Sequence, residues 1–198
     1  MPHSSSSQPD LFGTPEPGLP DGFAYRPDFL SPQEEQVIAA ELATLPFEPF
    51  QFRGYEARRR VVSFGYRYDF NSARLEAAEP IPEWLEPARE RAEAFAGVAS
   101  GGLQQLLINE YLPGAPIGWH RDRPQFEKVV GISVLAPCVF RLRRRVGSGF
   151  ERRSLTLAPR SAYLISAEAR EQWEHSIPPV TEHRYSITFR SFRTGKAP

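Results

Sequence analysis

The sequence predicts an α+β domain in which two helices pack outside an antiparallel β core. Two capped, amphipathic stretches lie in the first half of the chain. From Leu103 onward the helical period gives way to short β-branched or aromatic segments separated by Pro and Gly. Their regular spacing argues for a sandwich or small barrel. At 198 residues the chain suits one domain with a sizeable core.

Taken in order, residues 1–22 (MPHSSSSQPDLFGTPEPGLPDG) are rich in Ser, Pro and Gly and read as a flexible tail, leaving 23–198 as the single domain. In SPQEEQVIAAELATL, Ser31 can cap a helix, Pro32 suits its first position and Glu34 completes a capping box. Val37, Ile38, Leu42 and Leu45 would form its apolar face, with Pro46 and Pro49 ending it. A second helix is expected from about Pro82 to Gly97, with Gly101 and Gly102 as its terminator. LQQLLINEY, VVGISVL, CVFRLRR, RSLTL, SAYLIS and YSITFRSF read as strands, and VGSG as a hairpin turn.

Composition excludes little by bulk charge, because 24 basic residues balance 24 acidic ones. The kind of cation is more telling. Lys128 and Lys196 are the only lysines, so the chain relies on arginine, which binds carboxylate and phosphate bidentately and stacks on rings. Cys138 is the lone cysteine, so no intrachain disulfide can form and a cytoplasmic location is the simplest expectation. No apolar run approaches membrane-spanning length, and no membrane partner is expected.

The chemistry concentrates after the stretch LLINEYLPGAPIGWHRDRP. In an extended segment residues i and i+2 share a side, so His120 and Asp122 would converge, with Gly114, Pro116 and Gly118 turning the chain toward a cavity rim. A third ligand must come from elsewhere. Two histidines and one carboxylate on one face leave metal positions open, the arrangement of non-haem Fe(II) oxygenases. His3 lies in the tail, and His183 sits opposite the face of Arg184 by strand parity, so His175 is the preferred third ligand. In HRYSITFR, Arg184, Ser186, Thr188 and Arg190 share one face and Tyr185, Ile187 and Phe189 the other. The two arginines stand about 20 Å apart at ~3.3 Å per residue, and their long side chains could clamp a dianion. Beside Fe(II), a small dicarboxylate would be 2-oxoglutarate. Alone, a His-x-Asp pair arises by chance and an arginine pair on an edge strand is usually a solvated face; their order is the stronger signal.

NEYLPGAPIGWHRD, SAEAREQWEHSI and RYSITFR resemble the three signature blocks of the AlkB family of Fe(II)/2-oxoglutarate dioxygenases, over roughly Gly102 to Arg193. The resemblance implies a double-stranded β-helix (jelly roll) with flanking N-terminal helices and a substrate lid. It implies His120, Asp122 and His175 as iron ligands. It further implies Asn109 and Tyr111 bonding the cosubstrate and Arg184 and Arg190 binding its carboxylates. Fe(II), 2-oxoglutarate and O2 would together hydroxylate a substrate carbon. On an N-methyl group this would release formaldehyde from an alkylated nucleic-acid base. Arg170 and Trp173 are expected to orient the iron ligand or cosubstrate.

The lid would lie at about 46–70, where RRRVVSFGYRYDF is similar to the family's lid. There arginines interleave with aromatics as in single-stranded nucleic-acid grooves. Arg60, Phe64, Tyr66 and Tyr68 are the expected substrate contacts, with single-stranded DNA or RNA as partner. A second basic group, Arg141, Arg143, Arg144, Arg145, Arg152 and Arg153, flanks the hairpin and is either a backbone grip or a solvated face. The chain departs from the repair enzymes at Pro124, where an acid often contacts the base. This leaves open a hydroxylase or demethylase of a protein or small molecule, or else a non-catalytic metal-binding jelly roll. QPDLF, Gln8 to Phe12, resembles the motif by which bacterial repair proteins grip the sliding clamp.

Overall fold

The structure, a computed structural model, describes residues 18–52, 55–69 and 74–195. Most of the expected tail, including Gln8 to Phe12, lies outside the described residues. In chain order the elements are β1 (Phe23–Arg26), α1 (Pro32–Leu42), β2 (Glu48–Phe52), β3 (Tyr55–Phe64), β4 (Tyr66–Asp69), β5 (Arg74–Ala77), a 3-10 turn (Glu83–Leu85) and α2 (Glu86–Ala96). There follow β6 (Gln105–Tyr111), β7 (Ile117–His120), β8 (Phe126–Val134), β9 (Cys138–Val146), β10 (Gly149–Leu157), β11 (Ala162–Ile165), α3 (Ala167–Glu171), β12 (Glu174–Ile177) and β13 (Arg184–Phe192).

All strand pairs are antiparallel. A seven-stranded sheet runs β1-β11-β8-β13-β6-β3-β2, a four-stranded sheet runs β10-β9-β12-β7, and β4 pairs with β5. Strand alternation gives the large sheet two faces. One carries Leu106, Ile108, Ile132, Ile187 and Phe189 against Ile38, Leu42, Leu85 and Ala92 of the helical layer. The other carries Tyr111, Val129 and Tyr163 against Phe140, Leu142 and Ile177 of the small sheet. Two sheets facing across a core form the expected jelly roll, with the helices outside it. Among the described residues no helix is long and apolar enough to cross a membrane.

Local signals account for the helices. Ser31 Oγ accepts from Glu34 N at 3.2 Å while Glu34 Oε2 accepts from Ser31 N at 2.8 Å, the expected capping box. Two expectations need correction. Val37 is 57% exposed, because the buried stripe of α1 is the i, i+4 pair Ile38 and Leu42, one helical step away from it. And α2, which ends at Gly97 as expected, is terminated by Gly97 itself and not by Gly101 and Gly102. Gly97 takes the left-handed conformation (φ 61°), and Val98 N reaches back to Glu93 O at 3.0 Å. Lys128 Nζ then donates to the Ala96 carbonyl at 2.7 Å, satisfying one of the carbonyls the helix end leaves open. The β9–β10 hairpin turns through Gly147 and Ser148 as predicted, with Gly147 at φ 55°.

Strand β13 lies in the middle of the large sheet, so its arginines are no edge decoration: Arg184, Ser186, Thr188 and Arg190 are all buried. Beside it, β8 carries a glycine that the interior requires. A Cβ at Gly131 would lie 2.2 Å from Tyr163 Cζ, so the missing side chain makes room for the tyrosine ring between the sheets. Gly131→Ala is expected to destabilise by roughly 1–3 kcal/mol through overpacking. Urea unfolding checks this, and a loss below about 0.5 kcal/mol would show that the ring has room to yield.

Candidate active site

Strands β7 and β12 bring the predicted triad together. They pair antiparallel with His175 opposite His120, so both imidazoles point between the sheets. The ring centroids are 4.2 Å apart. Strand β7 ends at His120, and the chain continues without regular structure to place the Asp122 carboxylate 3.6 Å from His175 Nε2. Phe140 stacks on His175 at 5.4 Å and closes the site from β9. His183 is elsewhere, its Nε2 3.2 Å from Glu110 Oε1.

The tautomer of His120 follows from its partner. Nδ1 lies 2.8 Å from the Gly118 carbonyl, which can only accept, so Nδ1 carries the proton and Nε2 keeps its lone pair. Burial keeps both imidazoles neutral: it lowers the pKa of His120 and, reinforced by His120, holds His175 down to about 3. Burial would raise the Asp122 carboxyl, but the Arg190 guanidinium, with the nearby imidazoles and Arg170, outweighs it and holds that carboxyl well below the usual range. Two neutral imidazoles and one carboxylate are the donor set that Fe(II) takes in non-haem oxygenases. Donors each about 2.1 Å from one ion stand no more than ~4.2 Å apart, a limit the His175–Asp122 separation meets. The residues therefore fit the metal.

These shifts predict acid sensitivity in the metal-free protein. Folded His175 stays neutral down to about 3 against an ordinary 6.5, so below pH 6.5 the unfolded chain binds a proton that the folded chain refuses. Asp122, lowered on folding, acts in the same direction, its contribution being lost as pH falls. Stability is expected to drop between pH 6.5 and 3, by up to about 1.4 kcal/mol per pH unit for each proton. Chelated protein unfolded in urea across that interval checks it, and a flat midpoint would refute it.

Behind the triad stands an arginine-rich wall. Arg190 Nε donates to Asp122 Oδ1 at 2.7 Å and Nη1 to Gln105 Oε1 at 2.8 Å. Arg170 Nη2 donates to the Asp122 carbonyl at 2.9 Å and to that of Arg123, bracing the loop that carries Asp122. Arg184 is fully buried, lies over the Tyr111 ring at 4.9 Å and donates from Nη2 to Ser133 Oγ at 3.1 Å. Its Nε and Nη1 have no hydrogen-bond partner among the described residues. Arg190 is thus tied to Asp122 and Gln105, while Arg184 keeps buried donors to spare. Asn109 and Tyr111 sit beside it on β6, opposite Ser186 and Arg184 of β13.

Other expectations fail by parity. Arg60 pairs with Glu110, and Val62 and Phe64 with Ile108 and Leu106, all on the helix-covered face. The Arg60 guanidinium bonds Glu110, Phe64 packs into the helical core, and Tyr66 meets Phe192 edge-on at 5.2 Å. Arg60 and Phe64 therefore face away from the triad. The Tyr68 side chain, Arg53 and Phe70 lie outside the described residues. Trp173 donates to Glu168 Oε1 at 3.0 Å and packs in the core under Arg144, supporting α3. Arg59, one residue from the expected Arg60, faces inward: its Nε donates to Asn109 Oδ1 at 3.2 Å and its guanidinium covers Phe50 at 3.8 Å. Sequence reading missed Phe140 and Tyr163, and it counted Arg59 only among the interleaved arginines of the lid. Counting strand parity back from Asn109 across the β3–β6 register would have found Arg59, but that register is not written in the sequence. A cleft of about 390 Å³, lined by Arg58, Arg59, Gly114, Pro116, Gly118 and Pro179, opens beside His120.

The sequence profile of the 2OG-Fe(II) oxygenase superfamily matches residues 22–190. The chain belongs to that superfamily. Within it, the chain is 31% identical over 199 residues to the Bos taurus alpha-ketoglutarate-dependent dioxygenase alkB homolog 7, mitochondrial, covering 91% of this chain and 83% of that protein. It is 30% identical over 181 residues to the alkylated DNA repair protein ALKBH8 homolog of Arabidopsis thaliana, covering 79% of this chain. The chain spans 51% of that relative's length. The solved structure of OsALKBH1 superposes with a TM-score of 0.65 over 87% of this oxygenase and 98% of that chain, at 16% identity, which supports the fold alone. This 2OG-Fe(II) oxygenase is thus AlkB-like, and membership implies a dioxygenase requiring Fe(II), 2-oxoglutarate and O2. The non-catalytic jelly-roll alternative falls with that membership.

Proposed function

We propose that the chain dealkylates single-stranded nucleic acid, hydroxylating an N-alkyl carbon of a modified base so that the carbon leaves as an aldehyde. His120, Asp122 and His175 would hold Fe(II), which with 2-oxoglutarate and O2 supplies the oxidation, yielding succinate, CO2 and a hydroxylated substrate carbon. The residues of the chain do the positioning. The Gly118 carbonyl fixes the His120 tautomer, Arg190 and Arg170 hold Asp122, and the free donors of Arg184 take the far carboxylate of 2-oxoglutarate. Tyr111 and Asn109 flank that cosubstrate, and Phe140 keeps water from the buried side of His175.

The observation that carries the substrate reading is the cleft at Gly118, two residues before His120, lined by Arg58 and Arg59 together with Gly114, Pro116 and Pro179. A flat base fits between them, and the guanidiniums suit its carbonyl oxygens and phosphates. The names of two relatives support a nucleic-acid substrate, the Arabidopsis repair protein and a probable RNA/DNA demethylase of Danio rerio, 30% identical over 107 residues. A target in a duplex would have to be flipped out. Cytoplasmic location and clamp binding through Gln8 to Phe12 are further expectations of this reading.

A second reading, a protein or small-molecule hydroxylase, is favoured by Pro124. That position carries no acid, and its carbonyl accepts from Arg193 Nε at 3.0 Å. One assay separates the two. A single-stranded oligonucleotide bearing 1-methyladenine or 3-methylcytosine is incubated with Fe(II), ascorbate and 2-oxoglutarate and weighed by mass spectrometry. Loss of the methyl group is expected. Succinate formation with every methylated base left intact would move the substrate to the second class.

A further inference from the structure

The small sheet has an outer face, turned away from His120 and His175, that the site does not use. Trp119 of β7, Ser176 and Glu174 of β12, Arg141 and Arg143 of β9, and Arg152 of β10 lie side by side across its four strands. The Trp119 ring lies 5.1 Å from the Arg141 guanidinium and 4.4 Å from that of Arg143. Phe150 lies under Arg143, Arg145 and Arg152 at 4.4, 5.7 and 5.5 Å. The face thus alternates cations and rings over about 14 Å, three strand spacings of ~4.8 Å.

Most of its cations are not neutralised by acids. Several arginines outside it meet carboxylates: Arg144 with Glu151 and Glu168, Arg91 with Glu34, Arg193 with Glu171. Among the described residues the one ion pair on this face is Arg143 with Glu174 at 2.6 Å. Arg141 donates to Ser176 Oγ, and Arg145 and Arg152 are exposed and form no ion pair among the described residues. Strand β7 links this face to the cleft, since Gly118 lines the cleft and Trp119 follows it.

We propose that this outer face binds the single-stranded nucleic acid flanking the target base, its arginines on phosphates and Trp119 and Phe150 beside bases. The inference rests on the nucleic-acid reading above and extends it. A groove that pairs guanidiniums with aromatic rings suits a single strand of any sequence, because every base has a face to stack and every link a charge. Peptide acids would meet the arginines but leave the rings idle. The target base would then enter the cleft while its neighbours run along the sheet away from the β7 edge.

The test uses the full chain and an unmodified single-stranded 20-mer, followed by fluorescence anisotropy between 50 and 200 mM salt. The intact protein should lose affinity steeply with salt. The double variant Arg145→Gln/Arg152→Gln, at exposed positions outside the iron site, should bind at least about tenfold more weakly at 50 mM and flatten the log–log salt slope by about 1.4, at ~0.7 per lost phosphate contact. Phe150→Ala should weaken binding several-fold without changing the slope. 2-Oxoglutarate turnover without nucleic acid should be equal in all three proteins. Identical binding by the intact protein and the double variant would overturn the proposal, as would tighter binding to phosphatidylserine vesicles than to the oligonucleotide. Oligonucleotide binding that depends on these arginines, with no methyl ever removed, would uphold this face while overturning the dealkylation reading alone.

Discussion

His175→Ala is expected to abolish succinate formation and to lower the protein's affinity for Fe(II) by more than 100-fold. The reason is geometric and electrostatic together. His175 sits opposite His120 in the strand register and 3.6 Å from Asp122, so its removal leaves two donors where three converge. Losing even an outer partner of a metal ligand costs 10- to 100-fold, and losing a ligand should cost more. Burial also holds His175 neutral, so at neutral pH no proton need leave before metal binds. Binding of a redox-inert ion such as Mn(II), followed by calorimetry or electron paramagnetic resonance, reads the site independently of turnover. Unchanged Mn(II) affinity in a folded variant would remove His175 from the ligand set. His183→Ala is the matched control. His183 bonds Glu110 away from the triad, and its loss should leave metal affinity as it was.

Arg184→Met should separate function from stability. Wild-type Arg184 is buried with Nε and Nη1 unpartnered, a costly arrangement in a protein interior. Methionine fills similar space without charge, so the variant in the absence of cosubstrate is expected to be as stable as wild type or more stable, by up to about 3 kcal/mol. Its affinity for 2-oxoglutarate should fall at least ~100-fold, because two charge-assisted hydrogen bonds of about 1.5–3 kcal/mol each are lost. Thermal unfolding with Mn(II) reads both effects. Saturating 2-oxoglutarate, at about 100 times its dissociation constant, should stabilise wild type by ~2.7 kcal/mol and the variant hardly at all. A variant that is strongly destabilised yet responds normally to 2-oxoglutarate would show Arg184 to be structural only.

Much of this molecule could be read from local pattern. The Ser31–Glu34 capping box depends on residues three apart, and the hairpin at Gly147 on residues adjacent in the chain. The alternation of Arg184, Ser186, Thr188 and Arg190 against Tyr185, Ile187 and Phe189 needs only the strand period. What failed were claims needing a partner strand. Composition points Arg60 and Phe64 toward a substrate surface, but the β3–β6 register turns them to the helices and turns Arg59 inward. A one-residue change of parity exchanges the faces of a strand, and composition is blind to it. The terminator of α2 shows the same limit at shorter range: Gly97 and Gly101 both take positive φ, 61° and 74°, and only the return of Val98 N to Glu93 O singles out Gly97 as the cap.

By itself, then, the sequence determined the element types, the ordered His-x-Asp, His and Arg pattern, and the two faces of β13, because each depends on spacings within one segment. Tertiary structure decided the rest. It brought His175 of β12 across to His120 of β7, committed Arg190 to Asp122 while leaving Arg184 with open donors, and made Gly131 the space for Tyr163. It also gathered Trp119, Arg141, Arg143 and Arg152 from three strands onto one outer face. These are contacts between residues far apart in the chain, and the pairing of strands, which no single segment encodes, is what sets them.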